Sequence, residues 1–153
     1  MGHNHQNRDW TFDGTVEVTV NLFSLYIQET VCGIKTTEDR RIGLEARAAR
    51  IQEFLKTREK KPFVYLVMYV QMKEAFGWDA FKSVFAEYRA LAENERPKTD
   101  DEKRDQWLVR FSKTVGRDLG PFFESWEVPT SEAARRSIGD LPVWAPEGLA
   151  PKS

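Results

Sequence analysis

The run PFVYLVMYV, residues 62–70, constrains the fold more than any other stretch of the sequence. It is about half the ~20 apolar residues that a membrane-spanning helix needs. It therefore reads as a buried core helix and not as a span. Pro62 suits the first turn of that helix, where a missing N–H is harmless, and the helix runs through Met72 to Phe76 with Gly77 as its stop.

The flanking segments carry helical periodicity too. Leu44, Ala48, Ile51 and Leu55 make a stripe on one face. Asp79 suits the N-cap of a helix showing Phe81, Val84, Phe85, Tyr88 and Leu91 on one side, which the loop NERPK ends. Thr99 to Glu102 reads as a capping box, followed by Trp107, Phe111 and Val115 at spacings of four. Asp118 is expected to cap a short helix with Leu119, Phe122, Phe123 and Trp126, and Pro129-Thr130-Ser131 to start a last turn or two, stopped by Gly139. The charged stretches Glu45 to Arg50 and Asp100 to Arg104 read as solvated faces. The expectation is a mainly α domain of about six helices.

Composition narrows the function classes. The net charge of -1 supplies no field for nucleic acid or an anionic membrane. A lone cysteine, Cys32, excludes an intrachain disulfide and a multi-thiolate metal site, and beside Gly33 it reads as a small buried apolar group. The polar first ten residues carry no signal-peptide core, so a soluble chain without a transmembrane segment is expected.

Two stretches stay ambiguous on residues alone. In TVEVTVNL, Val16, Val18, Val20 and Leu22 alternate as in a strand, while Val20, Phe23, Ile27 and Val31 fit a helical face. The placement of Glu17 depends on which holds. Both histidines, His3 and His5, sit in the opening MGHNHQ. That stretch is compatible with a tag remnant, a natural start, or the second half of a zinc motif H-E-x-x-H. In such a motif, histidines four apart on a helix grip one ion and the glutamate acts as general base. If 15–31 is a helix, Glu17 and Asn21 share a face with Ser24. One of the two can then bind metal while the other orients a ligand.

The ordered run GHNHQ, then Trp10, then EVTVNLFSLYIQE resembles the catalytic region of enhancin-like zinc metallopeptidases, a gluzincin group also called peptidase family M sixty. QMKEAFGWDAFKSVFAEYR, DQWLVRFSKTVGRDLGPFFESWEVP and LPVWAP resemble the helical C-terminal part of the same domain. They are especially similar to the version in TRP-channel-associated factor proteins. The likeness spans Gly2 to Pro146, which makes residues 1–146 the C-terminal portion of a thermolysin-like peptidase domain and 147–153 a tail.

The resemblance implies roles. His3 corresponds to the second zinc histidine, Glu17 to the third protein ligand, and Asn21 to a residue that orients a ligand; His5 is not an expected ligand. The first histidine and the general-base glutamate would precede Met1. Zinc is therefore expected to be weak or absent in these 153 residues, and hydrolysis of peptide bonds in glycoprotein or mucin-like substrates to fail. Gluzincins also use a Tyr or His to stabilise the oxyanion; Tyr26, Tyr65, Tyr69 and Tyr88 are candidates, each with a plain alternative as a core residue. The competing expectation is a non-catalytic helical interaction module resembling the channel-associated factors. Exposed apolar surface makes self-association an expected property under either reading.

Overall fold

The computed structural model describes residues 6–146, apart from the side chain of Pro62. These residues form six α-helices: α1 (Val16–Thr30), α2 (Leu44–Thr57), α3 (Pro62–Ala90), α4 (Asp100–Val115), α5 (Gly120–Ser125) and α6 (Glu132–Arg136). The fold is mainly α. The sole β feature among the described residues is an isolated bridge between Asp118 and Val143. No helix among them is long and apolar enough to cross a membrane. The chain divides into two compact units, one of residues 1–7 and 13–75 and the other of residues 8–12 and 76–153.

In the first unit the TVEVTVNL segment is helical. Val18, Leu22 and Leu25 of α1 are each 2% exposed or less, at helical spacing, whereas Val16 is 51% exposed. Burial along one helical face outweighs the strand preference of the branched residues. The polar side chains of α1 are accommodated by returning to backbone carbonyls one turn back. Asn21 Nδ2 donates to the Glu17 carbonyl at 2.7 Å, Ser24 Oγ to that of Val20 at 3.2 Å and Thr30 Oγ1 to that of Tyr26 at 2.6 Å. The run at 62–70 is buried as expected, from Val64 through Val70.

Helix α2 shows a different face from the one its apolar stripe suggests. Leu44 is 63% exposed and Ala48 is exposed, while Phe54 and Arg47 are buried. Arg47 was expected on a solvated face. It is buried because its guanidinium forks onto the Glu74 carboxylate at 2.5 and 2.8 Å and also donates to the Ile42 carbonyl. Cys32 is likewise exposed, contrary to the buried position expected for it, because it follows the end of α1 in the turn before Gly33.

The second unit is built around aromatic rings. Trp107 and Phe111 of α4 pack with Phe81, and Trp107 stacks on Phe85 with centroids 5.7 Å apart. The stretch Arg8–Trp10 belongs to this unit: Trp10 meets Phe85 and Tyr88, while Asp9 pairs with Arg96 at 2.5 Å. The start of α4 follows the sequence signal closely. Thr99 Oγ1 accepts from the Glu102 N–H, three acidic residues occupy the first turn, and Gly116 (φ 66°) ends the helix. The Glu102 carboxylate reaches the N–H of Lys98 rather than that of Thr99. Within α3 the interruption falls on Gly77, whose φ of 80° and ψ of 169° are non-helical. Asp79 lies beyond it in the helical stretch and pairs loosely with Lys82.

Candidate functional site

Glu17 sits in the first turn of α1 with its side chain exposed, and Asn21 follows one turn later on the same face. A carboxylate in a first helical turn also interacts favourably with the helix dipole. Gln6, the glutamine of the GHNHQ stretch, is joined to this turn. Its Nε2 donates to the Val16 carbonyl at 2.5 Å and to Thr19 Oγ1 at 2.7 Å. The end of GHNHQ is thereby pinned to the turn that carries Glu17. His3 and His5 lie outside the described residues.

Arg41 is the other contributor. Its Nη1 donates to Asn21 Oδ1 at 3.3 Å, while its Nε and Nη2 fork onto Asp39 at 3.2 and 3.0 Å. The Arg41 N–H donates to Asp39 as well, at 2.7 Å. Hydrogen bonding from the Arg41 guanidinium holds the Asp39 carboxyl below its ordinary pKa, against the upward push of burial. A depressed folded-state pKa stabilises the fold above the unfolded value of about 3.9, and that stability is lost as pH falls through the folded value. Asp39→Asn should therefore lower the urea midpoint at pH 7, and the gap to the wild type should close below about pH 4.

Glu17 offers an exposed oxygen ligand of a kind zinc accepts. Among the described residues no group of three or more His, Cys, Asp or Glu side chains comes together to hold an ion. The tyrosines divide clearly. Tyr65, Tyr69 and Tyr88 are core residues, 5, 1 and 0% exposed, and burial pushes the Tyr88 hydroxyl above its ordinary pKa. Such a side chain has no route to a substrate. Only Tyr26, half-buried on α1, remains open to that role.

Residue reasoning missed Gln6 and Arg41. For Gln6 the signal was present, in its place within the GHNHQ run. For Arg41 none was, because a contact between residues 20 apart in sequence depends on the path of the intervening loop.

Residues 1–127 match the family model described as peptidase M60, enhancin and enhancin-like. Mouse TRPM8 channel-associated factor 3 is 36% identical over 152 residues, covering 94% of this chain and 16% of that protein. Human TRPM8 channel-associated factor 2 is 35% identical over 150 residues, with the same two shares. The chain thus spans 16% of the length of these curated relatives. The crystal structure of a functionally unknown conserved protein from Bacillus anthracis matches with a TM-score of 0.80 at 32% identity, covering 97% of this chain and 31% of that one.

Proposed function

We propose, since the chain belongs to the family of peptidase M60, enhancin and enhancin-like proteins, that it is the part of a zinc metallopeptidase domain that carries the second histidine and the glutamate of the metal site. His3 and Glu17 are the ligands in this reading, and Asn21 orients a neighbouring ligand. The observation that carries it is the link from Gln6 to the first turn of α1, which ties the GHNHQ stretch to the turn bearing Glu17. Zinc, when bound, would polarise the scissile carbonyl and acidify a water molecule. The chain's own residues hold one side of that site. Glu17 supplies a carboxylate oxygen, Gln6 anchors the end of the GHNHQ stretch on the first turn of α1, and Asn21 presents an amide oxygen. In this reading the general base is the glutamate of H-E-x-x-H, and hydrolysis requires that residue together with the first histidine. Glycoprotein or mucin-like substrates follow from the family resemblance.

A second reading has its own support. The 36% identical relative is by name a channel-associated factor, and α1, its following turn and α2 expose Val16, Val31, Ile34 and Leu44. Under this reading the domain binds a protein partner and performs no chemistry.

Zinc titration followed by peptide hydrolysis separates the two. The 153-residue chain should bind zinc weakly, and less in Glu17→Ala or His3→Ala. A version carrying His-Glu immediately before Met1 should bind it tightly and cleave a glycopeptide. If the extended version shows neither binding nor cleavage, the interaction module stands instead. Tight stoichiometric zinc in the unextended chain would contradict the incomplete site.

A further inference from the structure

The amide of Asn21 is held at both ends by groups that allow one orientation. Its Nδ2 donates to the Glu17 carbonyl at 2.7 Å, and a carbonyl can only accept. Its Oδ1 receives Arg41 Nη1 at 3.3 Å, and a guanidinium can only donate. The usual ambiguity between amide nitrogen and oxygen is therefore resolved by chemistry.

Arg41 is not a loose surface cation. Asp39, whose side chain is 7% exposed, takes its Nε and Nη2 in a fork and its backbone N–H besides. The loop beneath is fixed as well. The Gly43 N–H donates to the Asp39 carbonyl at 2.6 Å, and Arg50 Nε donates to the Arg41 carbonyl at 3.2 Å. A Cβ on Gly43 would come within 2.7 Å of two backbone oxygens, those of Thr37 and Asp39, so the close approach requires glycine. The guanidinium is thus aimed by a preformed loop.

We propose that Arg41, gripped by Asp39, is a positioning residue for the metal site at Glu17: it fixes the Asn21 amide so that its oxygen is presented on the helix face that carries Glu17. This rests on the zinc reading above. An amide oxygen has two acceptor positions; Arg41 occupies one, and the second suits the N–H of a metal-bound imidazole. Positioning and simple electrostatics make opposite predictions. Removing a cation near a metal site relieves repulsion and raises metal affinity, whereas removing a positioning group lowers it, by about tenfold or more.

The test uses the full 153-residue chain for the Asn21 signals and the same chain carrying His-Glu before Met1 for the zinc titration. The Asn21 side-chain NH2 resonances in 1H–15N spectra report the clamp, and a zinc titration followed at the Glu17 and Asn21 backbone signals reports the site. In Arg41→Ala the Asn21 side-chain pair should shift and exchange faster, and zinc affinity should fall about tenfold. Arg41→Lys keeps a donor and a charge, so it should restore part of both. Unchanged Asn21 resonances in Arg41→Ala would overturn the clamp, whatever zinc does. Altered resonances with equal or higher zinc affinity would also overturn the proposal, leaving Arg41 a loop brace and the zinc reading intact. No zinc response at Glu17 in the wild-type sequence carrying His-Glu before Met1 would sink the zinc reading, and this proposal with it, while the Asn21 signals still report whether the clamp exists. Thermal unfolding midpoints within a few degrees of wild type show that the variants are folded.

Discussion

Trp107→Ala is expected to cost about 3–5 kcal/mol, the range for removing a fully buried large aromatic side chain. Trp107 is 1% exposed and lies in ring contact with Phe81, Phe85, Tyr88 and Phe111. A small neighbour could not fill the space left, because the surrounding rings belong to two helices whose backbones would have to move together. Against a typical total of roughly 5–15 kcal/mol this is a large share. Followed by far-ultraviolet circular dichroism, the urea midpoint should fall by about 1–3 M at an m-value near 2 kcal/mol/M. Trp107→Phe keeps a ring in the stack and should lose much less. A cost for Trp107→Ala below about 1 kcal/mol would mean that the ring cluster is not the core of this unit.

The helices of this unit were readable because their boundaries are local. Thr99, the acidic first turn and Gly116 each act within a turn of the residues they cap, so α4 can be read from sequence spacing alone. The same holds for Pro62 at the start of α3 and for Gly77 within it. Helix α1 was not readable in that way. Its branched residues satisfy period two and period 3.6 together, and the tie is broken by which of them the rest of the unit buries. Helix α2 was misread in its facing for a related reason. The stripe of Leu44, Ala48, Ile51 and Leu55 is apolar, yet Leu44 and Ala48 are exposed and a charged side chain, Arg47, turns inward.

Recognition of the candidate site depended on motif and not on periodicity. Glu17 and Asn21 stood out because they fall in an ordered run after GHNHQ, and the helix then places them on one face. The groups that fix their surroundings come from elsewhere: Arg41 from the loop before α2, and Asp39 two residues earlier. No local rule connects a loop arginine to a helix asparagine. That pairing is a product of tertiary structure.

The ion pair between Arg47 and Glu74 makes the same point in energetic terms. Glu74→Ala is expected to cost roughly 2–4 kcal/mol, somewhat below the range for breaking a fully buried pair. Arg47 is the buried partner, its side chain 8% exposed, whereas that of Glu74 is 33% exposed. Deleting the carboxylate leaves the guanidinium donating to the Ile42 carbonyl, at 3.3 and 3.4 Å. A comparison within the same unit isolates burial as the cause. Glu53 meets Lys61 at 2.6 Å, a similar separation, but both side chains are about half exposed. Glu53→Ala should accordingly leave the urea midpoint unchanged, since exposed pairs are screened by water and salt. Replacing both partners, Arg47→Met with Glu74→Met, should recover at least half of the loss, because no buried charge then remains uncompensated. If Glu74→Ala proves as silent as Glu53→Ala, Arg47 reaches solvent readily and its buried position contributes little. Because Ile42 adjoins Arg41 in the loop that Arg47 holds, the Asn21 side-chain signals should also respond to Glu74→Ala and stay unmoved in Glu53→Ala.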